Sequence, residues 1–363
     1  MVPLEVMLCG RCGHAQLKHV VDPRRLFSNY AYASGTSAVF REHFAMYAES
    51  VIARQELKPN ALVVEIGSND GTLLKEFQQR GMRVLGVEPA QNLADLAMSR
   101  GIPTINQFFT QAVADHILKD GYAAVVVANN VLAHIDELVP TIRAARNLLG
   151  SEGALVFEVQ YVEALLAKGF FDMVYHEHLD YHALAPLVTY FETTRMGITH
   201  VERVPTHGGS LRVTATMNRA TGGHSVDVLL KDEQATQLNT INQWERLQRS
   251  VELSRHRFVD ALNNVFTSDP DATVVGFGAP AKATTLLYTL GLKRTDLDYI
   301  VDDSPLKQGL FTPGMHIPVY PPERLLSEPP SHIIVLAWNF AESIIEKWQP
   351  ILPKCQFMVP FGA

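Results

Sequence analysis

The chain has 363 residues, of which 47% are hydrophobic and 19% charged, and its formal net charge is −7. This length predicts two domains with room for a small extra module, and the acidic balance argues against a broad nucleic-acid-binding face. No apolar run reaches the ~18 residues needed to cross a bilayer, and three cysteines, Cys9, Cys12 and Cys355, make no disulfide framework. The opening stretch has neither the basic start nor the long apolar core of a signal peptide, so a cytoplasmic location is expected.

In chain order, residues 1–38 read as a small module, with a knuckle at Cys9 and Cys12. Residues 40–57 have helical apolar spacing. The run 61–66 predicts a buried strand, 67–71 a turn, and Thr72 opens a helix. Strands at 83–89, 122–130 and 153–161 then alternate with helices, which predicts a doubly wound α/β sheet over 39–221. A β-pair follows Thr199, with His207-Gly208-Gly209 at its turn. Residues 222–265 read as a helical connector, and 266–363 as a second α/β domain.

The turn "EIGSNDG" closes a strand and opens a helix, where ligands bind in such sheets. It lacks G-x-G-x-x-G, so no pyrophosphate cradle is indicated. Glu65 before the glycine repels phosphate and suits a cationic ligand. Gly67 allows close backbone approach, Asp70 can cap the helix or meet a polar group, and Glu88 stands at the next strand end, placed to take both hydroxyls of a ribose. S-adenosylmethionine carries a sulfonium, an ammonium and a ribose but no phosphate, and E-x-G-x-x-x-G followed by Glu resembles the class I methyltransferase signature. A plain α/β turn with a helix cap is the alternative.

Several stretches together resemble the nucleotide-sugar C-methyltransferases, which methylate a carbon beside the ketone of a 4-keto deoxysugar. They are "LFSNYAYASGTS", "EIGSNDG", "GVEP", "ANNVLAHI", "YHEHLDYH", "HGGSLRV", "GFGAPAKATTLL" and "DDSPLKQGLFTPGMHIPV", in family order over nearly the whole chain. The resemblance implies a class I methyltransferase Rossmann-like sheet, a second Rossmann-like C-terminal domain, and S-adenosylmethionine held by Glu65, Gly67, Ser68, Asp70, Gly71, Glu88, Pro89, Asn106, Phe108, Asn129 and Asn130. It implies substrate contacts from His176, His207, Gly208, Gly209, Ser210 and Arg212. The family opens with a zinc module of four cysteines in two knuckles. Here only Cys9 and Cys12 stand in place, so a tight structural zinc is not expected, although His14 and His19 are nearby.

Carbon methylation beside a ketone needs a base, a partner for the enolate oxygen and an aligned methyl donor. "YHEHLDYH" places three histidines, two acids and two tyrosines in eight residues. The resemblance puts the base at His178, with Glu177 and Tyr175 orienting substrate or moving protons. His134 lies just past a cofactor strand and can reach the same pocket, and the resemblance brings in one phenol from Tyr30 and Tyr32. A histidine metal pair and a plain polar loop are the alternatives at this stretch.

The second glycine loop, "GFGAPAKATTLL", has Lys282 where a helix opens, which favours an anion. Its spacing is incomplete as a dinucleotide fingerprint, with Ala281 where the third glycine belongs. The family reading gives it the nucleotide diphosphate of the sugar. Competing functions are an NAD-dependent oxidoreductase and a sugar O-methyltransferase. A nucleotide-sugar substrate, no nucleic acid or membrane partner, and a monomer or homodimer are expected.

Overall fold

The computed structural model describes every residue except Met1, Ala31, Tyr32, Ser37, Asn218, Arg219, Gly362 and Ala363. The chain divides into two compact units, one of residues 1–164 and 176–241, the other of 165–175 and 242–363.

The first unit opens with short strands β1 (Val6–Leu8) and β2 (Ala15–Leu17). Its main sheet is built from β3 (Leu62–Ile66), β4 (Arg83–Val87), β5 (Thr104–Ile105), β6 (Ala123–Asn129) and β7 (Leu149–Gln160), with β9 (Gly197–Val204) and β10 (Ser210–Thr216) after the short β8 (Asp180–Tyr181). The spatial order is β5-β4-β3-β6-β7-β10-β9. Strands β3 to β7 run parallel, while β10 is antiparallel to both β7 and β9. This is the class I methyltransferase Rossmann-like fold. Every residue of β3 is buried, which is why it reads as an unbroken apolar run around one glutamate. Strand order reverses between β3 and β6, and a crevice opens at the carboxyl ends of strands at such a point.

Helix Ala38–Arg54 covers one face of the sheet through Phe44, Tyr47, Ala48 and Val51, which pack with Val63, Leu74, Phe77 and Val156. Strands β1, β2 and β8 form a separate three-stranded sheet, in the order β1-β2-β8. Strand β8 lies within the "YHEHLDYH" stretch.

The expected connector over 222–265 is shared between the units. Helix His224–Ala235 belongs to the first, because buried Glu233 accepts the N–H groups of Leu184 (2.6 Å) and Ala185 (2.9 Å) at the start of helix Leu184–Thr194. Residues 165–175, expected inside the first domain, belong to the second unit. There Trp338 Nε1 donates to Asp172 at 2.6 Å, and Thr285 Oγ1 donates to the Val174 carbonyl at 3.0 Å.

The second unit is a five-stranded parallel sheet of β11 (Val274–Phe277), β12 (Ile300–Val301), β13 (Val319–Tyr320), β14 (His332–Val335) and β15 (Gln356–Met358). Its order is β13-β12-β11-β14-β15, over a core including Phe277, Val301, Ile333, Val335 and Trp348. Among the described residues, no helix of either unit is long and apolar enough to cross a membrane.

Candidate active site

Gly67 has φ 66°, and a Cβ there would stand 2.7 Å from a methyl of Val131, so the turn after β3 needs glycine. Glu88, at the end of β4, accepts the N–H groups of Asn69 at 2.8 Å and Ala90 at 2.9 Å. Asn106 donates to the carbonyls of Glu88 and Pro89, at 2.9 and 3.1 Å, and fixes that turn. Asp70 is fully buried and takes Arg100 at 2.7 Å, the Thr72 hydroxyl at 2.6 Å and the Gly35 N–H at 3.1 Å. It therefore braces the turn, and caps the helix opened by Gly71 and Thr72.

Two buried oxygens at this turn, Glu65 Oε2 and Ser68 Oγ, have no hydrogen-bond partner among the described residues. Burial, then the charges of Glu88 and Asp70, push the Glu65 carboxyl well above the usual carboxylate range. Burial also raises Glu88, against the two N–H groups that lower it. A buried orphan oxygen beside two further acids fits a ligand bringing positive charge and hydroxyls, and does not fit a phosphate. S-adenosylmethionine has those features. Asn129 and Asn130 lie at the end of β6, half-buried; Asn130 has φ 54° and its N–H donates to the Glu158 carbonyl at 2.8 Å. Phe108 is half-buried beyond β5.

Beside this turn the structure gathers Tyr30, Glu177, His134 and His178. Tyr30 donates its hydroxyl to Glu177 Oε2 at 2.8 Å, and its backbone is clasped by the Asn92 amide at both N–H (3.1 Å) and carbonyl (2.8 Å). Ser34 lies against the glycine turn, where its N–H donates to Asn69 at 3.0 Å. Tyr32 lies outside the described residues. His134 Nδ1 donates to the Glu177 carbonyl at 2.6 Å, and its ring meets that of His178 edge-on at 5.0 Å. Burial holds His134 down to about 4, although the carbonyls of Glu177 and Asn130 favour its protonated form. Burial raises Glu177, and the Tyr30 hydroxyl opposes that shift.

Other expected contacts stand elsewhere. His176 Nε2 reaches the carbonyl of Val2 at 3.2 Å. Tyr175 falls in the second unit. His207, Gly208 and Gly209 form the β9–β10 turn on three successive positive φ angles, with His207 exposed and its ring tilted against that of Phe40 at 5.1 Å. Ser210 is buried and donates to the Thr206 carbonyl at 3.0 Å. The Arg212 guanidinium is committed to Glu158 at 2.6 Å and Glu202 at 2.9 Å, over the Tyr47 ring at 4.4 Å. His43 binds the same buried Glu158 at 2.8 Å. Sequence reasoning missed this His43–Glu158–Arg212 cluster; its only signal was a glutamate inside the apolar strand "ALVFEVQ".

In the second unit, Lys282 pairs with buried Asp172 at 3.0 Å and lies over Trp338 at 5.2 Å. Asp302, at the ribose position of a dinucleotide fold, accepts the Ala279 N–H of the glycine loop at 2.6 Å. That acid closes on its own loop, which gives the NAD reading no support. Cys9 is exposed and Cys12 half-buried, and among the described residues no group of three or more His, Cys, Asp or Glu is arranged to hold a metal ion.

This sheet is that of a class I methyltransferase, and the chain is an S-adenosylmethionine-dependent methyltransferase. A methyltransferase domain model matches residues 40–194, and a model described as the C-methyltransferase C-terminal domain matches residues 205–361. The chain is 33% identical over 366 residues to the C-methyltransferase NovU of Streptomyces niveus, covering 99% of this chain and 86% of that one. It belongs to that C-methyltransferase family. Among solved structures, magnesium protoporphyrin IX methyltransferase of Synechocystis PCC 6803 with bound S-adenosylmethionine aligns with 48% of this chain and 78% of its own, at 16% identity and TM-score 0.38. An S-adenosylmethionine-dependent methyltransferase of Clostridium acetobutylicum ATCC 824 aligns with 49% and 92%, at 12% identity and TM-score 0.40.

Proposed function

We infer that this C-methyltransferase acts in the cytoplasm on a nucleotide-linked 4-keto deoxysugar, at the carbon next to the ketone, with His178 as the base. The observation that carries this reading is the convergence of Tyr30, Glu177, His134 and His178 beside the glycine turn. A C–H beside a ketone must lose its proton before the carbon can take a methyl group, and these side chains offer bases for that step. The similarity to a C-methyltransferase supports the same choice over O-methylation.

Glu65, Ser68 and Glu88 would hold S-adenosylmethionine, which supplies an electrophilic methyl group. His134, held near 4, is neutral at pH 7 and a weak base, and its Nδ1–H is committed to the Glu177 carbonyl. Its Nδ1–H fixes the Glu177 carbonyl, and hence the peptide that leads into His178. Tyr30 holds the Glu177 carboxylate with its hydroxyl. His178 then takes the proton from the carbon acid. His176 and the exposed turn at His207 and Gly208 remain candidate sugar contacts. Arg212 and Ser210 shape the hairpin beneath that turn, and Lys282 with its Asp172 partner is the candidate anion position of the second unit.

The test is turnover with a panel of nucleotide 4-keto sugars, read by mass spectrometry and carbon NMR. One added methyl on the carbon beside the ketone is expected. A methyl on oxygen, or no transfer to any member of the panel, would overturn the reading.

A further inference from the structure

One part of "YHEHLDYH" has no role in the mechanism above: its end, Asp180 to His182. Strand β8 is the edge on which the N-terminal sheet is built, with Gln16 opposite Asp180 and Ala15 opposite Tyr181. Leu179, the residue after His178, is held from two sides. Its N–H donates to the Ala133 carbonyl at 2.7 Å, and its carbonyl accepts the Leu17 N–H at 2.7 Å. The residue before His178 is held by His134. The base thus sits between two anchored peptides, and one anchor is the N-terminal sheet.

A side-chain bond reinforces that anchor. His14 Nε2 lies 2.6 Å from Asp180 Oδ1, with the side chains only 2% and 9% exposed. The His14 ring also meets Tyr190 edge-on at 5.3 Å and lies 5.7 Å from the ring of His182, which is fully buried. His182 is in turn bridged through its backbone to Tyr161 at the end of β7, and its carbonyl accepts the Val162 N–H at 2.9 Å. One end of the catalytic segment is therefore tied to the main sheet, and its middle is tied to residues 14–17.

We propose that His14 and Asp180 are positioning residues for the base, so that the N-terminal sheet serves as the back plate of the active site. The physical reason is tolerance. A reacting group displaced by about 1 Å loses on the order of 10²-fold in rate, and a catalytic side chain is held that closely only when the residues behind it are fixed. Two-residue strand β8 makes few ladder bonds of its own. The short, buried bond between His14 and Asp180 supplies the missing restraint from outside the group of Tyr30, Glu177, His134 and His178.

The inference rests on His178 being the base, so His178→Ala is assayed alongside. In His14→Ala, kcat should fall about tenfold or more, while KM for the sugar and Kd for S-adenosylmethionine stay within about twofold. His14→Gln places an amide N–H near the Nε2 position, and should recover most of kcat. Exchange of the substrate's acidic C–H with deuterated water, without methyl donor, should slow in parallel with kcat. Should His14→Ala not fold, Asp180→Asn keeps the shape, loses the charge, and should lower kcat severalfold at unchanged KM. Unchanged kcat in His14→Ala or Asp180→Asn overturns the proposal, as does a loss in His14→Ala that His14→Gln does not recover. Failure of the His178 reading is a different result: full exchange and turnover in His178→Ala.

Discussion

Replacing Glu88 tests the donor site most directly. Its two oxygens already accept the N–H groups of Asn69 and Ala90, at 2.8 and 2.9 Å, yet each keeps a lone pair for a ribose hydroxyl. Glu88→Ala therefore removes two sets of bonds. Losing the charge-assisted ligand contact costs about 1.5–3 kcal/mol, or about 10- to 150-fold in Kd. Leaving two loop N–H groups without an acceptor costs about 1–3 kcal/mol each if they stay buried, and shows as a lower Tm of the ligand-free protein. Glu88→Gln separates the two effects. Its amide oxygen keeps one acceptor at the same reach, so it should fold more nearly like wild type while still binding the donor more weakly. Titration calorimetry with S-adenosylmethionine and S-adenosylhomocysteine, alongside thermal unfolding, measures both. Glu88→Ala binding within about threefold of wild type, a change of about 0.7 kcal/mol, would refute the placement of the ribose and with it the reading of the turn.

His178→Ala should leave both ligands bound but lower turnover by about 10²-fold or more; wild-type rates in the mutant would move the role to His134 or Tyr175. Glu65 holds its proton unusually high, so binding a cationic ligand should release a proton and tighten as pH rises. Calorimetry in two buffers of different ionisation enthalpy reads that release, and Glu65→Gln should abolish it; no proton release in wild type would refute the contact. His134 is depressed to about 4 in the folded chain, against about 6.5 unfolded, so its contribution to stability is present above about 6.5 and is lost as pH falls through about 4. His134→Asn should flatten the dependence of Tm on pH in that window, and an unaltered slope would show that another group governs it. Lys282→Ala should destabilise the protein by about 3–5 kcal/mol by leaving Asp172 buried and unpaired, and combining Lys282→Met with Asp172→Asn should restore most of it; equal denaturation midpoints for wild type and Lys282→Ala would contradict this.

Much of the candidate donor site was legible in the sequence because it is local. The run into Glu65, the turn at Gly67 and the acid at Glu88 lie within 24 residues, and period and turn chemistry reveal them. Arg212 was harder. Read within "HGGSLR" it looks like a cation that meets the substrate, but it stands inside β10, where Ser210, Arg212 and Thr214 alternate with Leu211, Val213 and Ala215 and all six are buried. A buried arginine needs a partner, and Glu158 is 54 residues away, beyond the reach of any local pattern. Strand β8 escaped notice because two residues carry no period, and its sheet partner is over 160 residues away. The assignment of 165–175 to the second unit was equally invisible, since its partners there, Trp338 and Lys282 on Asp172 and Thr285 on Val174, lie more than 100 residues further along the chain.

The bond from Trp338 to Asp172 has a consequence for the order in which the molecule is made. Asp172 emerges from the ribosome 166 residues ahead of Trp338. At roughly 5–20 residues per second, it waits about 8–33 s for that partner. During that time residues 165–175 are a loose excursion between two stretches of the first unit, with an acid and two adjacent phenylalanines, Phe170 and Phe171, not yet covered. The first unit can close around the returning chain at His176 well before the second is complete, but the excursion itself is finished last. A ribosome that stalls or terminates between residues 242 and 338 would leave that apolar stretch without its partners in an otherwise folding chain, in the form that chaperones and proteases recognise.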